Sequence, residues 1–156
     1  MSERPQRDWL GLFRAGCGFW LGVSLFFTFG VAKTLFAVYP SAQAGEITGL
    51  LFPPYYLFLY LAGAAAALGI TLSRALCARW LTSLILLLAA VIFIGTIDFK
   101  ISPVMQALDL PSERAQFARL HGLSMALNLC AMLVVAAALL VGRRRRAAGL
   151  DKIGEE

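Results

Sequence analysis

The sequence predicts an all-α fold, an integral membrane four-helix bundle with both termini in the cytoplasm. Of its 156 residues, 60% are hydrophobic and only 15% are charged, whereas soluble domains are roughly 45–50% apolar and about 25% charged. The charged residues also leave four long uncharged stretches, at residues 15–32, 47–73, 80–97 and 120–142. A helix needs about 20 mostly apolar residues, within a range of roughly 17–25, to cross a bilayer. All four stretches reach that length.

The four stretches predict one membrane domain, residues 1–156, with helices at about 10–38, 53–73, 80–98 and 113–142. Three arginines precede the first stretch, and the second follows the segment Phe52-Pro53-Pro54. Proline is tolerated in the first turn of a helix, where no N–H partner is missed. Tyr55 and Tyr56 belong to a residue type that favours the membrane–water interface. We therefore expect helix 2 to begin at Pro53.

The basic residues predict which side of the membrane each loop occupies. Lysine and arginine favour the cytoplasmic side. The basic residues next to the predicted cytoplasmic ends of the helices are Arg4, Arg7, Arg14, Arg74, Arg79, Arg143–Arg146 and Lys152. The other two loops mix both signs of charge. We expect a multi-pass protein of the cell membrane whose main partner is the lipid bilayer, with a basic cytoplasmic tail at residues 143–156 that anchors the topology and binds no nucleic acid.

Small residues predict close helix packing. Gly18 and Gly22 have the GxxxG spacing that lets two membrane helices approach closely. The partner helix could belong to the same chain or to a second copy, so a homo-oligomer through this face is one expectation. Cys17, Cys77 and Cys130 form no CxxC pair, and we interpret them as small packing residues.

Polar and special residues collect at the non-cytoplasmic ends of the predicted helices. At about 1.5 Å per residue, Lys33 lies roughly 28 Å from Arg14, close to the outer surface. Counting the rise along the other helices places further polar and special residues close to the outer surface. The residues predicted there are Lys33, Glu46, Pro53, Tyr55, Asp98, Lys100, Pro103 and His121.

Helix 4 carries the sharpest pattern. At 100° per residue, His121, Ser124 and Asn128 share one face, and they run about two turns into the bilayer. Polar groups at this depth usually face the bundle interior or a cavity. Helix 1 offers a face that contains Gly18, Gly22, Phe26, Phe29, Lys33 and Phe36. These patterns predict a polar pocket between helices 1 and 4. Interhelical hydrogen bonds without any ligand, worth about 0.6 kcal/mol each, are the alternative explanation.

Three segments of the chain resemble a known family. They are residues 44–56, which contain Phe52-Pro53 and Tyr55-Tyr56; Ile101-Ser102-Pro103-Val104-Met105; and Phe117 to Asn128, which contains His121-Gly122. Together they resemble the transmembrane protein 205-like domain family, small four-helix membrane proteins mostly of unknown biochemical function. The layout is more distantly similar to copper-resistance D-like membrane proteins and to a four-helix protoporphyrinogen oxidase family that relies on membrane His and Lys residues.

The sequence contains none of the motifs that define common catalytic sites, namely a Ser–His–Asp set, a Walker loop, a CxxC pair or HExxH. We therefore expect a non-enzymatic membrane protein acting in transport, metal or drug tolerance, or assembly of a membrane complex, with no cofactor. Two alternatives use His121. With Met105 and Met125 it could bind Cu(I), which imidazole and thioether ligands suit. It could also ligate a haem iron. Membrane cytochromes of the bis-His kind need two histidines and this chain has one, so a second copy of the chain or a methionine would supply the other ligand.

Overall fold

The computed structural model describes residues 3–108 and 112–142, and these residues form four long helices joined by short connections. Helix α1 covers residues 3–38. Helix α2 is Ser41–Leu72, α3 is Trp80–Ala107 and α4 is Arg114–Val141. The described residues contain no strand. The predicted all-α bundle is therefore confirmed, whereas the predicted basic tail lies outside the described residues.

All four helices are long and apolar enough to cross a membrane. Many large apolar side chains point away from the bundle: Phe26 is 70% exposed, Ile92 65% and Leu133 61%. Apolar patches of this extent are rare on soluble monomers. Lipid chains are the environment that these faces suit, so the structure is that of a membrane bundle.

Two of the helices contain a π segment, Phe26–Ala32 in α1 and Ile97–Ile101 in α3. The α-helical parts on either side are Glu3–Leu25, Lys33–Val38, Trp80–Thr96 and Ser102–Ala107. A π turn is closed by an i→i+5 hydrogen bond and so takes up one more residue than an α turn. The faces of α1 before and after its π segment are consequently out of phase.

Helix α2 begins at Ser41, so the prediction that it begins at Pro53 is wrong. Only Tyr39 and Pro40 connect it to α1. Pro53 and Pro54 lie inside α2, and both are exposed. Interior prolines remove N–H groups from the helix ladder, but membrane helices tolerate them because neighbouring groups and local adjustments satisfy the freed carbonyls. Proline was therefore misread as a helix start.

Helices α1 and α3 also extend further than predicted. Helix α1 begins at Glu3 rather than at about residue 10. Helix α3 continues beyond Asp98 to Ala107, through the π segment and Pro103. The predicted helices ended near charged residues. Membrane helices can continue past the apolar core of the bilayer into the interface, so the predicted helices were too short. Helix α4 agrees with its predicted bounds to within one residue at each end.

The most extensive packing joins α1 to α2 and α3 to α4, with smaller contacts between α2 and α3 and between α1 and α4. Glycine residues permit the close contact between α1 and α2. A Cβ atom on Gly16 would lie 2.8 Å from the carbonyl oxygen of Ala62, and one on Gly69 would collide with the backbone of Phe13. Both glycines let the α1 and α2 backbones touch. The bundle core contains Phe13, Trp20, Leu59, Ile70, Leu87 and Ile94.

Gly18 and Gly22 take no part in this packing. Both are exposed, and an added Cβ atom would have no neighbour within 4 Å. The GxxxG face is therefore turned away from the chain's own helices, and an oligomer through it stays a prediction.

The cysteines divide into two groups. Cys17 and Cys77 are buried, as expected of packing residues, but Cys130 is exposed, and all three are free thiols. The packing interpretation is thus wrong for Cys130, which lies on an outward face of α4.

Candidate binding cleft

A cleft of about 510 Å³ lies between α1 and α4, at the end of the bundle where α1 ends and α4 begins. All four helices contribute to its walls. The main contacts of α4 with α1 involve the part of α1 before the π segment, whereas the part after it packs against α2. The two helices therefore diverge beyond residue 25 and leave the cleft between them. Its lining includes Phe27, Phe29, Lys33, Phe36, Thr48, Phe52, Tyr55, Met105, His121, Ser124, Met125, Asn128 and Met132.

The floor of the cleft is a hydrogen-bonded group from three helices. The Tyr55 hydroxyl donates to Asn128 Oδ1 at 2.9 Å and lies 3.5 Å from Ser24 Oγ. Asn128 Nδ2 in turn lies 4.0 Å from the Met132 sulfur. Ser24 is fully buried, and Tyr55 is 5% exposed. Buried polar groups are normally hydrogen-bonded, and here the partners belong to different helices. The group therefore links α1, α2 and α4 where the cleft begins.

Aromatic rings from α1 and α2 form one wall. The rings of Phe27 and Tyr55 are stacked with centroids 4.4 Å apart, and those of Phe52 and Tyr56 are stacked at 5.6 Å. Phe27 and Phe52 also touch, with centroids 5.4 Å apart. Offset stacking of this kind stabilises a wall beyond its buried area.

Two groups that carry or can carry positive charge, Lys33 and His121, lie at the rim, and both are exposed while lining the cleft. The imidazole of His121 stacks on Phe117 with centroids 5.9 Å apart. Ser124 Oγ donates to the backbone carbonyl of His121 at 2.8 Å. The Ser124 hydroxyl proton is therefore already used within α4.

The ten residues predicted for the pocket divide evenly. Five of them line the cleft: Lys33, Tyr55, His121, Ser124 and Asn128. The other five are not among its lining residues: Glu46, Pro53, Asp98, Lys100 and Pro103. Four of these are exposed, and Asp98 is half-buried. These five residues lie near the level of the cleft along their helices but not on the side that faces it. The position of a residue along a helix does not determine the direction in which its side chain points.

The predicted polar character of the pocket is also wrong. Its walls are mainly carbon, from phenylalanine, methionine and leucine side chains. The polar groups on the floor are paired with one another, and those on the rim are exposed. The structure thus holds both features that the sequence posed as alternatives, a cleft and interhelical hydrogen bonds.

Sequence reasoning missed several lining residues, above all Phe27, Phe52 and Met132. Phenylalanine and methionine are common throughout apolar helices, so residue type gave no signal. The face predicted for α1 was correct for Phe29, Lys33 and Phe36. It was wrong for Gly18, Gly22 and Phe26, which do not line the cleft. The π segment between the two groups puts them out of phase, and no sequence pattern revealed it.

A second polar cluster joins α2 to α3. The Tyr60 hydroxyl donates to Asp98 Oδ2 at 3.0 Å, and the hydroxyls of Tyr56 and Ser102 lie 3.3 Å apart. This cluster gives Asp98 a partner on the side of α2 that faces α3. An ionisable residue in a membrane span is normally paired in this way.

The lining of the cleft contains three thioether side chains and one imidazole. They belong to Met105, Met125, Met132 and His121. Within the described residues, no group of three His, Cys, Asp or Glu side chains could hold a metal ion. Any metal site here would therefore depend on thioether sulfur.

Cys77 lies in the connection between α2 and α3, where its thiol donates to the Gly142 carbonyl oxygen at 3.4 Å. Burial raises the pKa of this thiol, and it outweighs the opposing effects of the Ser73 hydrogen bond and the Arg14 charge. The thiolate is the reactive form of cysteine, so we expect Cys77 to react slowly at neutral pH.

Four apolar helices, packed as a bundle with a cleft between two of them, define a multi-pass helical membrane protein. The chain belongs to the family described as Domain of unknown function (DUF4149), whose family model matches residues 15–111. That match covers α1 from residue 15 onward and all of α2 and α3. The resemblance to the transmembrane protein 205-like domain family stays a prediction.

A relative supports this assignment over a longer part of the chain. An uncharacterized protein of Aquifex aeolicus (strain VF5) is 32% identical over 124 residues, which cover 79% of this chain and 88% of the relative. No solved structure matches the chain.

Proposed function

We propose that this protein is a non-catalytic membrane protein that takes an amphipathic small molecule from the bilayer into the cleft between α1 and α4. Such binding would serve transport or tolerance to apolar compounds. It would act in the cell membrane, with both termini cytoplasmic. The observation that carries the proposal is a mainly apolar cleft of about 510 Å³ with a hydrogen-bonded floor. Small-molecule sites have volumes of about 300–1,000 Å³, mostly apolar walls and a few placed polar groups.

The floor argues for a binding site rather than for loose packing. Tyr55 and Asn128 bond to each other across the bundle, which holds α2 and α4 at a defined separation next to the diverging α1. A ligand that entered the cleft would meet few unpaired polar atoms there, so burial of its apolar part would drive binding.

Filling the cleft tests this function. We would reconstitute the protein in nanodiscs and measure binding of tritiated hexadecanol by scintillation proximity. Ala126 lines the cleft, and Ala126→Trp should weaken binding by about tenfold or more, a loss of at least about 1.4 kcal/mol. Ala64 is an exposed alanine on α2 that does not line the cleft, and Ala64→Trp is the matched control. Equal binding by both variants would exclude the cleft as the site.

A second candidate function is Cu(I) binding, which the common location of His121, Met105, Met125 and Met132 favours. Imidazole and thioether ligands suit Cu(I). Purification in mild detergent followed by metal analysis and a visible spectrum tests it, with His121→Ala as the variant. Leu133 is an exposed residue of α4 outside the cleft lining, so Leu133→Ala is the control. Copper lost only from His121→Ala would support a metal site, whereas a haem absorption band would point to the redox alternative. A colourless, metal-free protein would leave the amphiphile site as the function.

A further inference from the structure

The rim of the cleft has a one-sided charge distribution. Lys33 is the first residue after the π segment of α1, and it lines the cleft together with His121 of α4. No aspartate or glutamate of the described residues lines the cleft. A ligand entering between α1 and α4 would therefore meet a lysine ammonium group and an imidazole, but no carboxylate from those residues.

The described carboxylates at this end of the bundle are Glu46, Asp98 and Glu113, and none of them lines the cleft. Asp98 accepts a hydrogen bond from Tyr60 on the α2–α3 side. Glu46 is an exposed residue of α2 outside the cleft lining. Within residues 3–108 and 112–142, Lys33 forms no ion pair.

The ammonium group of a lysine in this position can contact the headgroup of a ligand without entering the apolar part of the cleft. Its long aliphatic stem can lie along apolar surface while the ammonium group stays at the polar interface. The apolar side chains Phe29 and Phe36 line the cleft on either side of Lys33 in α1. Cation and apolar wall thus lie next to each other, which matches a molecule with an anionic head and a hydrocarbon chain.

We propose that the occupant of the cleft is a single-chain anionic amphiphile whose headgroup contacts Lys33 and whose chain lies among the phenylalanine and methionine side chains. The inference rests on the proposed function and adds the charge of the ligand. A volume of about 510 Å³ is in the range of sites for one drug-sized molecule, which suits one acyl chain. A lysine near the membrane surface attracts anions, so the headgroup should add selectivity while the chain supplies most of the affinity.

The test compares two ligands with the same chain, hexadecyl phosphate and hexadecanol, in nanodiscs of zwitterionic phosphatidylcholine. The wild-type protein should bind hexadecyl phosphate about fivefold more tightly than hexadecanol, and added salt should reduce that preference. Lys33→Gln should abolish the preference and keep hexadecanol binding. Lys33→Arg should restore it. Lys100 is an exposed cation of α3 outside the cleft lining, so Lys100→Gln should behave as wild type.

The outcomes separate the two proposals. Equal wild-type affinities for both ligands, or an unchanged preference in Lys33→Gln, would overturn the anionic headgroup and leave the cleft as a site for neutral amphiphiles. Parallel loss of both ligands in Lys33→Gln would assign Lys33 a purely structural role and overturn the inference too. Absence of wild-type binding to either ligand would overturn the proposed function itself.

Discussion

Tyr55 of α2 donates a hydrogen bond to Asn128 of α4 at 2.9 Å, although 73 residues separate them in the sequence. The bond crosses the bundle at the point where α1 diverges from α4. It gives the cleft a floor and holds two of its walls together. One contact thus couples the packing of the helices to the shape of the candidate site.

Removing the Tyr55 hydroxyl should lower the free energy of unfolding modestly. Hydrogen bonds between membrane helices contribute about 0.6 kcal/mol on average and about 1.7 kcal/mol at most, so we expect Tyr55→Phe to fall within that range. Reversible unfolding in mixed detergent micelles measures it. Tyr39 is an exposed tyrosine at the end of α1, and Tyr39→Phe should have no effect. A Tyr55→Phe protein as stable as wild type would show that the bond adds nothing to stability.

Two glycines of α1 should respond in opposite ways to the same substitution. Gly16→Ala should destabilise the bundle by about 1–3 kcal/mol, the usual cost of overpacking, because its Cβ atom would lie 2.8 Å from the Ala62 carbonyl oxygen. Gly18→Ala, two residues away, meets open space and should be neutral or slightly stabilising, since alanine favours helix. Thermal unfolding of both variants checks the pair. The reverse order would mean that the α1–α2 contact differs from the one described.

The outward GxxxG face predicts self-association of the protein. Replacing Gly18 and Gly22 with leucine should convert dimers into monomers, because bulky side chains separate the helix backbones. Single-molecule photobleaching in nanodiscs at low protein density counts the copies. Gly11 is also exposed on α1 with open space around it, which makes Gly11→Leu the control. If the wild-type protein were monomeric throughout, this prediction would be wrong.

The three cysteines should differ in reactivity. Cys130 is exposed, whereas Cys17 and Cys77 are buried. N-ethylmaleimide should therefore modify Cys130 first in detergent. Cys77 should stay slow at neutral pH and accelerate only at higher pH than an unperturbed thiol, because burial raises its pKa. Mass spectrometry of labelled peptides follows each site, with Cys130→Ser as the control. Fast labelling of Cys77 at neutral pH would contradict its burial.

The charge distribution predicts cytoplasmic termini. A fluorescent protein fused after Glu156 should fold and fluoresce in the cytoplasm, whereas alkaline phosphatase at the same position should stay inactive. Replacing Arg74 and Arg79 with glutamine removes the basic residues between α2 and α3 and should weaken this orientation. Alkaline phosphatase activity from the wild-type fusion would invert the predicted topology.

The number of helices could be predicted from the sequence alone, and so could the face of α4 that carries His121, Ser124 and Asn128. Both follow from local properties. A span is a long run of apolar residues, and an uninterrupted α-helix keeps 100° per residue from end to end. Helix α4 contains no π segment, so its predicted face was also its observed one.

The start of α2, the side of α1 that meets the cleft and the apolar character of the cleft became visible only in the folded bundle. Pro53 favours a helix start by local chemistry, yet the structure places it inside α2. The π segment of α1 separates the face of Gly18 and Gly22 from that of Lys33. Phe27 and Phe52 became cleft walls because α1 and α4 diverge, and that divergence depends on contacts between residues far apart in the chain.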